Sequence, residues 1–171
     1  MIIATMDTMT RSRLDLQKVR AITAEVLNLP KDLVIAGRLP EGWTQGKSAF
    51  ITIDKVSSKE TGITSTYFDD KNEIETMSTS ALTTVQINAF GNNSVLMLEK
   101  LRSVLRSSYA QEAFASMKAG IVTMSDVKDI AAPFAAGYEE RANLDLIISH
   151  DIVTQTPLYK IKIQNVDTHS S

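Results

Sequence analysis

The chain holds no cysteine, which excludes a disulfide framework, a thiolate metal site and a cysteine nucleophile at once. Histidine is nearly as scarce. Of the two present, His150 is read at the end of a strand beside Asp151 and His169 in the C-terminal tail, so a two-histidine metal site is not expected. No apolar run approaches the roughly 20 residues of a membrane span. Residues 1–10 lack the basic start and sustained apolar core of a signal peptide. Nor is there an excess of positive charge: 18 Lys and Arg stand against 20 Asp and Glu, a formal net charge of -2. That balance argues against a dedicated nucleic-acid binder, though not against a protein that lets DNA slide past. Ordinary apolar content over 171 residues points to one domain spanning 1–171, with 1–10 and 167–171 as loose termini, made in a reducing, intracellular setting.

Catalytic patterns are also thin. Ser125-Asp126-Val127-Lys128 has the serine-x-x-lysine spacing of acyl enzymes, but its companion motifs are missing and a helix-start serine explains it better. Glu139 and Glu140 are adjacent and so point to opposite faces of a strand, which is wrong for shared acid–base work. His150 has no nucleophile in view, and no glycine-rich phosphate loop follows a strand. No catalytic, cofactor-binding or metal residue is assigned, and the chain is read as a non-enzyme without cofactor.

What is present is a strand feeding a helix. Leu82 to Phe90 alternates, with Val85, Ile87 and Ala89 on one face and Thr84, Gln86 and Asn88 on the other, the period of a half-buried strand. Gly91 permits a sharp corner, and Asn93 or Ser94 can cap the helix that follows. Met97, Leu98, Leu101, Val104, Leu105 and Tyr109 form its apolar stripe, and helical character is expected to run on to a C-cap at Gly120. Such a helix must lie across its own sheet.

Upstream, Ser12-Arg13-Leu14-Asp15 fits a capping box, and Leu16, Val19, Ile22, Val26 and Leu27 recur at helical spacing until Pro30. Leu33 to Gly37 reads as a short strand, and Trp43 as a lid over the core edge in a Pro- and Gly-marked loop. Phe50 to Val56 is a strand, Ser57 to Glu60 a kink, and Thr61 to Phe68 extended again; Asp69 to Asn72 turns the chain. Folding about Asp70 and Lys71 sets Thr61 near Ser80. The result is a hairpin arm, residues 61–80, with few apolar residues on either face, and such a two-stranded arm is marginal alone. It is therefore read as adding to another subunit or clamping a partner.

Downstream, a half-turn is expected around Val127 and Ile130. Ala142, Leu144, Leu146 and Ile148 alternate as a strand, Thr154 to Pro157 turns, and Tyr159 to Ile163 forms a last strand. The fold class is α+β: a mostly antiparallel sheet with a long protruding β-hairpin, packed against two main helices.

The order of these pieces resembles the bacteriophage tail and neck terminator proteins, in particular the neck-terminator family of contractile-tailed phages. Phe50-Ile51-Thr52-Ile53 opens the hairpin, Thr84 to Gly91 forms the central strand and corner, and a helix starts near Ser94. Gly120-Ile121 and then Tyr138 to Asp145 follow, ahead of the closing strands. The resemblance covers most of 50–166. It implies a structural virion protein of the tail or neck, assembled from host cytoplasm. Such a protein forms a ring with itself, commonly a hexamer, on the head-proximal end of the tail tube, stopping tube growth and joining tail to neck. Implied partners are the tail tube protein, a neck or head-completion protein and the sheath, with DNA passing unread through the hole and no membrane. Candidate subunit or partner contacts are Thr64, Thr66, Phe68, Asp69, Asp70, Lys71, Glu73 and Glu75 on the arm, and Tyr138, Glu139 and Arg141 at a strand start; a local cap and salt bridge is the equal reading of the last three. A tail tube, head-closure or other tail-completion protein is the alternative within virion structure. A small cytoplasmic enzyme or ligand-binding domain using His150 and the glutamates is the alternative outside it.

Overall fold

A computed structural model describes residues 8–37, 49–134 and 137–157. The expectations for Trp43, for the strand at Tyr159 to Ile163, for His169 and for the C-terminal tail lie outside those residues.

The chain forms β1 (Met9–Ser12), α1 (Leu16–Leu27), β2 (Val34–Ala36), β3 (Phe50–Asp69), β4 (Ile74–Phe90), α2 (Ser94–Val104), α3 (Ser108–Ser116), β5 (Ala119–Met124), β6 (Lys128–Asp129), β7 (Ala132–Phe134), β8 (Gly137–Glu139) and β9 (Arg141–Pro157). One large sheet runs β1-β9-β4-β3-β2, with β5 and β6 also pairing β9, while β7 and β8 form a separate pair. Every pairing is antiparallel except β2 with β3. The class is α+β, with a mixed sheet and, among the described residues, three α-helices.

The alternation read from the sequence sets the buried face. Val85, Ile87 and Ala89 of β4 face Leu146, Leu144 and Ala142 of β9 in register, and Ile53 of β3 faces Ile87. All are fully buried beneath Val19 of α1, Leu98 and Leu101 of α2, and Phe114 of α3. Each valine, isoleucine, leucine or phenylalanine side chain among these gains about 1.5–3 kcal/mol on burial, so this layer supplies the main drive for folding. The opposite face of the same strands is polar: Asn143 Nδ2 donates to Asn88 Oδ1 (3.1 Å) and Gln86 Nε2 to Asp145 Oδ1 (3.4 Å).

Gly91 makes the strand-to-helix corner at φ +91°, and a side chain there would press on the Ala49 backbone at 3.0 Å. Glu140 holds that corner. Its carbonyl accepts from Gly91 N (2.9 Å), and its carboxylate accepts from Asn93 N (2.6 Å). Asn93 occupies the N-cap position of α2 without a side-chain cap bond, and Ser94 is buried within the first turn. The orphan amide expected to be capped locally is thus satisfied by Glu140, the residue between β8 and β9.

Several expectations are corrected. Helix α1 is capped by Asp15, whose carboxylate accepts from Gln17 N and Lys18 N, because Ser12 belongs to β1 and turns its hydroxyl to Leu14 N. The single long helix is two. Helix α2 ends at Val104 with Leu105 as its C-cap, and Ser107 starts α3 by accepting from Ala110 N, so three α-helices among the described residues cover the sheet and Tyr109 is exposed rather than in the stripe. Gly120 lies in β5; the left-handed residue leaving α3 is Lys118, at φ +55°. The half-turn around Val127 and Ile130 is instead the short strands β6 and β7. Met9 and Thr10, expected in a loose terminus, pair with Gln155 and Thr154. Residues 154–157 do not turn but continue β9 to Pro157.

Candidate functional site

Beyond the helix-covered layer, the sheet runs on as a ribbon whose side chains are mostly hydroxyls. Its strands are β3 and β4 as expected, with Thr61 opposite Ser80, but β9 pairs with β4 as far as Ile74↔Pro157 and β1 pairs with β9. The arm is therefore four strands deep where β1 reaches, not a bare two-stranded hairpin. Short cross-strand contacts tie it together: Ser58 to Thr83 and Thr64 to Thr79, each 2.8 Å between hydroxyls, Thr10 to Thr154 at 3.1 Å, and Ser80 Oγ donating to Asp151 Oδ1 at 3.0 Å.

At the root of the ribbon, His150 is buried on β9. Its Nε2 is 2.6 Å from Thr83 Oγ1 on β4 and its Nδ1 is 3.3 Å from Ser12 Oγ on β1. With Ser58 beyond Thr83, one polar chain links all four strands. The rival reading needs His150 to converge with Glu139 and Glu140. About ten residues of extended strand separate them, roughly 30 Å, so they share no crevice. Among the described residues, no group of three His, Asp or Glu side chains is placed to hold a metal ion.

The ribbon's surface is open in two ways. First, β2 pairs only with Ile51, Thr52 and Ile53, so among the described residues no strand takes the outer edge of β3 from Asp54 to Asp69. Second, that edge displays apolar side chains: Ile63 is 95% exposed, Tyr67 70% and Phe68 53%. Register shifts between Lys55 and Ser57 and between Thr61 and Ser65 divide the edge. The first is the expected kink, set one residue early at Val56; the second contains Gly62, at φ +80°, and Ile63. Bulges and lysines guard edges against indiscriminate pairing. They leave Ser65 to Asp69 as a regular stretch that ends at the tip.

The tip itself is fixed by Asp69. Its carboxylate accepts from Lys71 N (3.0 Å), Asn72 N (3.2 Å) and Asn72 Nδ2 (2.7 Å), and these bonds, led by the Asn72 side chain, hold its pKa below the ordinary aspartate value. A carboxyl whose folded pKa is depressed contributes stability above its unfolded pKa and loses it as pH falls through the folded one. Amide exchange at Lys71 and Asn72 is therefore expected to quicken on acidification through that range, and at neutral pH in Asp69→Ala. Unchanged exchange in both would show that the turn does not rest on this carboxylate.

Of the candidate contacts, Thr64, Thr66, Phe68, Asp69, Asp70, Lys71, Glu73 and Glu75 all lie on the distal ribbon or its tip, and Glu73 takes φ +53° there. Tyr138, Glu139 and Arg141 are not brought to them. They sit at the opposite end of the sheet, where Tyr138 of β8 pairs with Pro133. Arg141 donates to Glu139 Oε2 (2.6 Å) and lies 5.2 Å from the Phe90 ring centroid, with Phe90 stacked on Phe50 at 4.7 Å. The local salt bridge is thus the observed arrangement. Sequence reasoning missed the Ser12–His150–Thr83–Ser58 chain, whose one signal was a polar residue repeated at the same level of each strand.

No helix among the described residues is long and apolar enough to cross a membrane. A sequence model of the family described as "Phage neck terminator protein" matches residues 17–170. No curated protein matches the chain.

Proposed function

The chain belongs to the phage neck terminator protein family, a structural component of the phage tail and neck, and on that premise we propose that it closes the tail tube as a ring of identical subunits. The outer edge of β3, open among the described residues and with Ile63, Tyr67 and Phe68 exposed along it, carries this reading. A ribbon without a covered apolar face gains little from its own chain, and a bare edge supplies backbone donors and acceptors for a neighbour. Thr64, Thr66, Phe68, Asp69, Asp70, Lys71, Glu73 and Glu75 then form the joining surface. A contact that differs on its two sides propagates head to tail and closes when the rotation permits.

In this reading the subunit number is six, as the resemblance implies. The ring sits at the head-proximal end of the tube, stops its growth, and meets the tube protein on one face and a neck or head-completion protein on the other. The sheath is a further neighbour. DNA passes through the hole unread, because a chain of net charge -2 does not neutralise phosphates in the numbers that create sticking. Tyr138, Glu139 and Arg141, at the far end of the sheet, are proposed as a separate contact.

Negative-stain images of the purified protein, alone and mixed with tail tubes, test the proposal. Discrete rings, free or seated on one tube end, are expected. Long cylinders built from this chain alone would make it a tube subunit instead.

A further inference from the structure

The proposed ring leaves the receiving side of the contact unassigned, and the molecule carries a surface that matches the ribbon tip in charge. A groove of about 320 Å³ lies where β1, the start of α1 and the exit from α3 meet, and Arg11, Arg13, Lys18 and Lys118 line it. We infer that the acidic ribbon tip of one subunit seats in this basic groove on the next subunit. The inference rests on the ring reading and names its second surface.

The charges correspond. Four cations face the groove against one carboxylate, Asp15, which is engaged in capping α1 through Gln17 N and Lys18 N. The tip carries Asp69, Asp70, Glu73 and Glu75 against one lysine, Lys71, the Asp69 carboxylate also holding the turn through Lys71 N and Asn72. The ion pairs found among the described residues are Arg102–Asp126 and Arg141–Glu139, so none of the groove cations has an ion-pair partner among the described residues. A cluster of like charge is self-repelling, and an oppositely charged neighbour relieves it.

The chain's own tip is held away from the groove. Arg11 pairs opposite Val153, whereas the last pair before the tip is Ile74↔Pro157, four residues further along β9. That is about 13 Å of extended strand, beyond the roughly 8 Å screening length of physiological salt. Continuous pairing of β4 with β9 keeps the ribbon from folding back. Tip and groove are different surfaces of one molecule, so their union between copies can propagate head to tail, as ring closure needs.

Because the chain lacks cysteine, single introduced thiols report the contact. Asp70→Cys chain is mixed with Lys118→Cys chain and oxidised, and the products are compared with those of each variant alone. A mixed cross-link at least about tenfold above either self-cross-link is expected, a difference of about 1.4 kcal/mol in contact preference. It should be lost in 1 M salt and in partners carrying Arg11→Glu and Lys18→Glu. Absence of the excess overturns the inference. If ribbon deletion still abolishes assembly in that case, the ring reading stands with another receiving surface; if it does not, both fall. A groove that retains duplex DNA, loses it on Arg11→Glu with Lys18→Glu, and gives no mixed cross-link would be a phosphate-binding surface, and that outcome overturns the inference too.

Discussion

Leu101→Asp is expected to abolish the cooperative thermal transition of this protein. Leu101 lies on the inner face of α2 with no exposed surface, within the cluster formed by Leu98, Leu105, Phe114 and the inward residues of β4 and β9. Removing the leucine forfeits about 2–5 kcal/mol, as large-to-small core changes do. The carboxylate adds a further cost of several kcal/mol, because nothing apolar around it can pair or hydrogen-bond the charge. The sum approaches the roughly 5–15 kcal/mol by which domains are stable at all. Leu96→Asp is the matched control: it is on the same helix, 63% exposed, and expected to change stability by less than about 0.5 kcal/mol. Thermal unfolding followed by circular dichroism reads both. A normal transition in Leu101→Asp would mean that α2 does not cover the sheet as described.

How much of this was legible beforehand depended on whether the governing contact was local. The hairpin register was readable in its middle, where folding about Asp70 and Lys71 sets Thr61 opposite Ser80 as observed, but the register shifts between Thr61 and Ser65 and between Lys55 and Ser57 displace the pairs toward the tip and toward the base. So was the buried face, because Val85, Ile87 and Ala89 announce it by alternation. The break between α2 and α3 was hidden, because Leu101, Leu105, Ala110 and Phe114 continue to supply buried side chains across it. Only Ser107 and Ser108 signal a fresh cap.

Non-local pairing was harder. Gln155, Thr156 and Pro157 have turn-like composition, and they remain extended because β4 pairs with them from far upstream in the chain. The ribbon's depth was missed for the same reason. The basic groove draws Arg11 and Arg13 from the start of the chain and Lys118 from beyond α3, so no window of sequence contains it. The latch of Glu140 on Asn93 joins residues 47 apart and was equally invisible.

The second large effect concerns the ribbon. Removing residues 64–77 and joining 63 to 78 by a short turn takes away the tip, the regular edge at Ser65 to Asp69, and the exposed Tyr67 and Phe68. It also strips β9 of its β4 partner from Thr154 to Pro157, although β1 still pairs Thr154 and Gln155 from the other side. The Ser12–His150–Thr83–Ser58 chain at the root is untouched, and so is the whole helix-covered layer. Folding free energy comes mainly from that layer, so a cooperative transition is expected to persist. Association should not, because both the edge and the charged tip are gone.

Sedimentation of the intact chain beside this shortened chain is the most direct test that the ribbon of one copy is completed by another. The account predicts a discrete ring-sized species for the intact chain and a folded monomer for the shortened one at every concentration. A shortened chain that still sediments as the same closed assembly would contradict it.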